Sequence, residues 1–160
     1  MEIRPVGEGD ADALWALLEP VIRAGETYAL PRDMRRADAL RVWLAPGHSP
    51  YLALQDGTPV GTYWLRPNQP GGGAHVVNCA YVTAQDAQGK GVARAMLDHS
   101  IREARLRGFA AMLFNFVIAS NERAVRLWEA NGFSVVGRLP GAFRHPREGP
   151  VDVLLMHRPL

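Results

Sequence analysis

Cysteine occurs once in this 160-residue chain, as Cys79. A single thiol excludes an internal disulfide framework and a cysteine-based zinc site. Charge of one sign is also scarce: eighteen basic against sixteen acidic residues leave a formal +2. That balance argues against a nucleic-acid or membrane-surface partner. No apolar run approaches the ~18 residues of a membrane-spanning helix. No internal repeat, low-complexity tract or linker divides the chain. The opening Met1-Glu2-Ile3-Arg4-Pro5, followed by the acidic stretch to Asp12, lacks the basic start and apolar centre of a signal peptide. What is there is ordinary for a globular protein, 48% hydrophobic and 21% charged. The length suits one domain that buries roughly 70% of its unfolded surface without a metal or disulfide. These features lead us to expect a cytoplasmic protein with a single domain over residues 1–160.

Periodicity divides the chain into elements. Ile3–Val6 reads as a short strand, and Asp10 is placed to cap a helix with Leu14, Trp15, Leu17, Leu18, Val21 and Ile22 on its apolar side. Glu26–Pro31 reads as a loop, and Asp33 opens a second helix through Ala37, Leu40, Trp43 and Leu44. The period then changes. Tyr51–Leu54, Val60–Leu65 and Val76–Val82 are strand-like, with Asp56-Gly57 as a hairpin turn. Val92–Arg107 is the longest helical pattern and Gly108 stops it. Ala111–Ile118 reads as a central strand buried on both faces. Asn121–Asn131 reads as a short helix closed by Gly132, and Val135–Leu139 and Val151–Met156 as closing strands around a Pro/Gly/Arg-rich loop. Strands and helices interleaved in this way give a mixed α/β domain.

The most informative stretch is Tyr81-Val-Thr-Ala-Gln-Asp-Ala-Gln88-Gly89-Lys90-Gly91-Val92-Ala93-Arg94. A strand runs into a turn, and two glycines open a helix. The first N–H groups of a helix lack internal partners and sit at its positive end, where a phosphate is well received. Lys90 adds a cation. A tight strand-to-helix turn explains the same glycines without a ligand. Neither the Gly-x-x-x-x-Gly-Lys-Ser/Thr nor the Gly-x-Gly-x-x-Gly pattern is completed. Gly71-Gly72-Gly73 leads into a strand and reads as a hairpin connection.

Gln88-Gly-Lys-Gly91-Val-Ala93 resembles the acetyl-CoA loop of the GNAT superfamily of N-acetyltransferases, patterned Gln/Arg-x-x-Gly-x-Gly/Ala. Asn121-Glu-Arg-Ala124-Val-Arg-Leu-Trp128-Glu-Ala-Asn-Gly132-Phe133 is similar to its Asn-x-x-Ala-x-x-x-Tyr-x-x-x-Gly-Phe. The resemblance implies a central mixed, mostly antiparallel sheet of roughly six to seven strands flanked by about four helices, with central parallel strands splayed into an acetyl-CoA cleft. It implies that the loop of Gln88, Gly89, Lys90, Gly91, Val92, Ala93 and Arg94 holds the cofactor diphosphate. It further implies that Val82 and nearby strand backbone pair with the pantetheine arm and that Asn121 hydrogen-bonds the arm; Asn121 also reads as a plain helix cap. Trp128 departs from the family, where tyrosine is the usual proton donor to the leaving thiolate. An indole N–H donates a hydrogen bond but delivers no proton, so Trp128 reads as core packing that can also line the thioester pocket.

The implied reaction is direct transfer of an acetyl group from acetyl-CoA to an amine in a ternary complex, with no metal. An amine of pKa ~10 is about one part in a thousand neutral at pH 7, so a base would contribute ~10²–10⁴ in rate. Glu26 lies in the Gly25-Glu26-Thr27-Tyr28 loop, which borders the acceptor pocket in the family; it is a candidate base or a solvated carboxylate, and Tyr28 a candidate acceptor contact. His75 and His145, the latter beside Arg144, are further candidates, each with a plain structural alternative. Cys79 reads as a small core residue. Asn78 and Asn115 interrupt two apolar strands and either satisfy each other or the backbone, or converge on one polar ligand as catalytic and acceptor-binding groups. Phe114-Asn115-Phe-Val and the two asparagines are similar to the branch that acetylates proline analogues such as azetidine-2-carboxylate, which implies a small, amino-acid-like acceptor. The leading expectation is therefore an N-acetyltransferase acting on a small-molecule amine, possible as a homodimer. Acetylation of a protein N-terminus or lysine, and a non-catalytic acyl-CoA-binding sensor, are the alternatives.

Overall fold

Short local signals set the strands of the first half. Asp56 and Gly57 both adopt positive φ, 51° and 78°, the geometry of a two-residue turn that suits the twist of a hairpin. They join β2 (Ser49–Gln55) to β3 (Thr58–Pro67). The other elements are β1 (Glu2–Pro5), α1 (Ala11–Ala24), α2 (Arg36–Trp43), β4 (Val76–Thr83), α3 (Val92–Leu106), β5 (Ala111–Ile118), α4 (Glu122–Ala130), β6 (Ser134–His145) and β7 (Gly149–Pro159). This computed structural model describes all 160 residues. The seven strands form one mixed sheet in the order β1-β2-β3-β4-β5-β7-β6. Every neighbouring pair is antiparallel except β4 and β5.

The helices cover both faces. On one, Leu14, Leu17, Leu18 and Ile22 of α1 and Ala39 and Trp43 of α2 pack over Leu52 and Val82. On the other, Met96, Leu97, Ile101 and Ala104 of α3 and Trp128 of α4 pack over Tyr63, Val77 and Met112. Met96 and Leu97 are wholly buried, so truncation of either to alanine costs ~2–5 kcal/mol. α3 lies close to the sheet because Gly61 has no side chain: a Cβ there would fall 2.9 Å from the Met96 sulfur and 3.0 Å from the Val82 oxygen.

β4 and β5 pair only at Val76–Ala111 and Val77–Met112. Beyond that point the two parallel strands part, and the gap opens toward the end of β4 from which the chain enters α3. On the far side of β5, a bulge at Asn115-Phe116 sets three steps of β5 against two of β7, which bends the strand locally.

Three local expectations are corrected. The Asp10 carboxylate does not cap α1; it accepts from Gly7 N–H at 2.7 Å and from the Arg4 guanidinium at 2.6 and 2.8 Å. α2 begins at Arg36, after an uncapped Arg35, so Asp33 lies outside it. The supposed loop through Pro140-Gly141 is largely strand, because β6 runs on to His145 with an irregular register between Leu139 and Phe143. An edge strand accommodates a proline by such a bulge.

Candidate active site

α3 begins at Gly91, whose φ of +82° no L-residue adopts comfortably. The first bond inside the helix runs from Ala95 N–H to Gly91 O at 3.0 Å. The N–H groups of Val92, Ala93 and Arg94, with those of Gly89 and Gly91, meet no acceptor in the protein. A Cβ on Gly91 would meet no atom within 4 Å, so these donors face open space at the positive end of a fifteen-residue helix. Lys90, the chain's sole lysine, is exposed between the two glycines. Gln88 is exposed at the start of the loop, and Arg123 reaches it from α4: its Nη1 lies 3.5 Å from Gln88 Oε1 and its Nη2 would lie 3.3 Å from a Cβ on Gly89. Arg123 has no acidic partner, whereas Arg126 on the same helix pairs with Glu122 at 2.9 Å. Local sequence did not single out Arg123; its position two residues after Asn121 is informative only once α4 is seen to lie beside the loop.

The edge of β4 that faces the gap follows from ladder parity. Ala84 N–H donates to Val60 O and Asn68 N–H to Val76 O. With the register Thr62–Val82, Trp64–Ala80 and Arg66–Asn78, the hydrogen-bonded pairs with β3 fall on the even residues of β4. The main-chain groups of Cys79, Tyr81 and Thr83 therefore point away from β3, toward the gap. Val82 is corrected accordingly: its main chain is used by Thr62, and its buried side chain packs under α1 and α2. Tyr28 on the α1–α2 loop confirms the direction, since its hydroxyl donates to Tyr81 O at 2.8 Å.

Aromatic rings line the α3–α4 side. The Trp128 ring is 5.2 Å from Tyr81 and 5.0 Å from Phe114, and Phe114 stacks on Phe133 at 4.3 Å. The Tyr81 hydroxyl is 2.7 Å from Ser100 Oγ on α3. Cys79 is buried, and burial pushes its thiol up to about 12, so it carries no thiolate near neutral pH. Asn121 caps α4, its side-chain oxygen accepting from Ala124 N–H at 3.3 Å.

On the opposite side, Asn78 is 7% exposed and its amide makes no hydrogen bond within the protein. Asn115 does not join it: Asn115 Nδ2 donates to Asn68 Oδ1 at 2.7 Å. The expected convergence of the two asparagines is thus replaced by one tied amide and one free amide. Glu26 is not a free base either, because Arg147 Nη2 pairs with it at 2.7 Å. That pair ties the β6–β7 hairpin to the α1–α2 loop. His75 is exposed just below the closed end of the gap, where its oxygen accepts from Ala110 N–H. His145 is 6% exposed, and its Nδ1 accepts from the N–H groups of Arg147 and Glu148, both at 3.3 Å. The neutral ring therefore carries its proton on Nε2. Tyr28, Arg32, Arg144 and His145 help line a cavity of about 470 Å³ between the loop and the hairpin.

Residues 13–133 match the acetyltransferase (GNAT) family. The chain belongs to the GNAT family. A GCN5-related N-acetyltransferase from Kribbella flavida has a solved structure that superposes with a TM-score of 0.94 at 37% identity, covering 99% of this chain and 97% of that one. The structure of yncA from Salmonella typhimurium, solved with its cofactor acetyl-CoA, shares the fold with a TM-score of 0.86 at 22% identity over 100% and 94% of the two chains. Among curated relatives, N-acetyltransferase aca1 of Schizosaccharomyces pombe is 31% identical over 60% of this chain and 46% of its own length. Mycothiol acetyltransferase of Propionibacterium freudenreichii is 35% identical over 69% of this chain and 35% of its own. The match spans less than half the length of each of these two relatives. Within this fold, α4 lies beside both the glycine loop, through Arg123 and Gln88, and β4, through Trp128 and Tyr81.

Proposed function

We propose that this chain acts as a single N-acetyltransferase domain that moves the acetyl group of acetyl-CoA to the amine of a small molecule. The observation that carries this reading is the set of five unpartnered amides around Gly91, which opens beside the unpaired edge of β4. The space in front of Gly91 that a Cβ would enter fits a diphosphate, and a helix N-terminus stabilises its charge. When bound, acetyl-CoA supplies an acyl thioester. Lys90 and Arg123 add positive charge at its diphosphate end. Cys79 and Tyr81 offer main-chain N–H groups to the arm and to the thioester oxygen, where negative charge develops. Asn121 has an amide NH₂ to spare after capping α4. Trp128 packs against Tyr81 at the place where the family uses tyrosine; a thiol of pKa ~8.5 leaves as thiolate near neutral pH without a strong acid.

The acceptor side supports a small molecule. Its cavity of about 470 Å³ falls within the ~300–1,000 Å³ usual for small ligands, and the Glu26–Arg147 pair bridges its two walls. None of its lining residues carries a carboxylate. With the acceptor nitrogen of His145 already taken by two main-chain N–H groups, the amine reacts from its own neutral fraction, and kcat/KM climbs with pH up to the amine's pKa near ~10.

CoA-thiol release measured across a panel of small amines and peptides tests the reading, with saturable release expected from small amines. Acetyl-CoA binding without release from any amine would establish a sensor instead. Release from peptides alone would establish protein acetylation.

A further inference from the structure

We infer that the acceptor carries a carboxylate as well as its amine, and that Arg144, Arg32 and His145 bind that carboxylate. The inference rests on the acetyltransferase reading and names the substrate class for the same site.

The cavity wall is rich in donors and poor in acceptors. Arg32 spends only its Nε, which donates to Arg23 O at 2.8 Å, and its two terminal nitrogens are uncommitted. Arg144 has neither a hydrogen bond nor an ion pair with the protein and lines the same cavity. His145 is nearly buried, with Nδ1 held by two main-chain N–H groups, so its free ring nitrogen is a donor. The neighbouring acids do not offset this charge. Glu26 is matched by Arg147 at 2.7 Å, and Glu148, half-exposed outside the cavity wall, lies 3.8 Å from His145 Nδ1. A carboxylate accepts from planar guanidinium donors in strong, charge-assisted geometry.

Tyr28 sets the orientation. It lines the cavity and donates to Tyr81 O on the parted edge of β4. An acceptor seated along it places its amine toward β4 and its carboxylate toward the arginines. A polyamine would bring a second positive charge to the same wall, and a peptide lysine side chain would bring no carboxylate to it.

The test is CoA-thiol release from matched pairs, each a free amino acid and its carboxamide, with the spacing between amine and carboxyl varied. At least one acid is expected to exceed its amide by about tenfold or more in kcat/KM, a margin typical of one charge-assisted contact. Arg144→Gln and, separately, Arg32→Gln are expected to shrink that margin at least several-fold. Calorimetry on the unaltered protein gives a second readout, in which the N-acetylated acid binds and its amide binds at least about tenfold more weakly. Equal turnover of acids and amides, faster turnover of amides or peptides, or an unchanged margin in both variants overturns the carboxylate assignment while leaving acetyl transfer intact. Absence of thiol release from every amine overturns the acetyltransferase reading itself.

Discussion

The hydroxyl of Tyr28 donates a 2.8 Å hydrogen bond to the main-chain oxygen of Tyr81, across fifty-three positions of sequence. It joins the loop that walls the proposed acceptor cavity to the strand edge along which the donor would lie. The Tyr28 ring is held independently, edge-on to Trp43 at 6.3 Å, and burial pushes its hydroxyl pKa well above the usual tyrosine value. The hydroxyl is therefore a neutral hydrogen-bond donor at any physiological pH.

Tyr28→Phe keeps the ring and removes the bond. The expected loss of stability is about 1 kcal/mol, or a fall in Tm of roughly 2–4 °C for a chain of this size. Steady-state kinetics should show a several-fold rise in acceptor KM with the affinity for acetyl-CoA unchanged. A parallel loss of both would mean that the bond only supports β4.

Gly91 and Gly108 bracket α3 with nearly the same φ, +82° and +77°, and a Cβ on either would meet no atom within 4 Å. Alanine at each position should therefore cost a similar ~1–2 kcal/mol of backbone strain. Only Gly91→Ala places a methyl group among the free amides. Calorimetric titration with CoA should show at least about a tenfold weakening for Gly91→Ala and none for Gly108→Ala.

Arg123 leans on Gly89 with no acid to answer it. Arg123→Ala should weaken CoA binding about tenfold, the worth of one hydrogen bond to a charged group. Dephospho-CoA should lose affinity in the same proportion, because the contact lies at the loop proposed to take the diphosphate. A loss confined to CoA would move Arg123 to the 3′-phosphate.

Acid stability should depend on Asp10. The Arg4 guanidinium, followed by the Gly7 N–H, holds its carboxyl down to about 2. A carboxyl with a lowered folded-state pKa stabilises the fold above its unfolded value near ~3.9 and loses that contribution as pH falls toward 2. Thermal melts of Asp10→Asn should run below those of the unaltered protein at pH 5 and converge with them near pH 2. Parallel curves over that range would show that the pair is without effect on folding.

The glycine loop and the Asn121 cap were legible in the sequence because each is a local event. A helix start needs only a few adjacent residues to set its dihedrals and expose its amides, and strand or helix periodicity needs only a window of neighbours. The parted parallel strands entered through the family resemblance, which the match over residues 13–133 now supports. The side-chain partners followed a different logic. Asn115 was readable as a polar group in an apolar strand, but Asn68, forty-seven positions away, was not readable as its partner. Glu26 was readable as a loop carboxylate, but Arg147, which pairs with it from the last hairpin, was not readable as its partner.

The same division applies to the whole site. Composition, spacing and turn chemistry alone determined a mixed α/β chain with a phosphate-ready helix start, since short-range sterics and hydrogen bonding decide those features. Tertiary structure decided which edge of β4 is free, which loop carboxylate is ion-paired and which arginines line a cavity. The register of a neighbouring strand sets the parity of the main-chain groups, and the packing of distant loops sets which charges meet. Neither is encoded in any single window of residues.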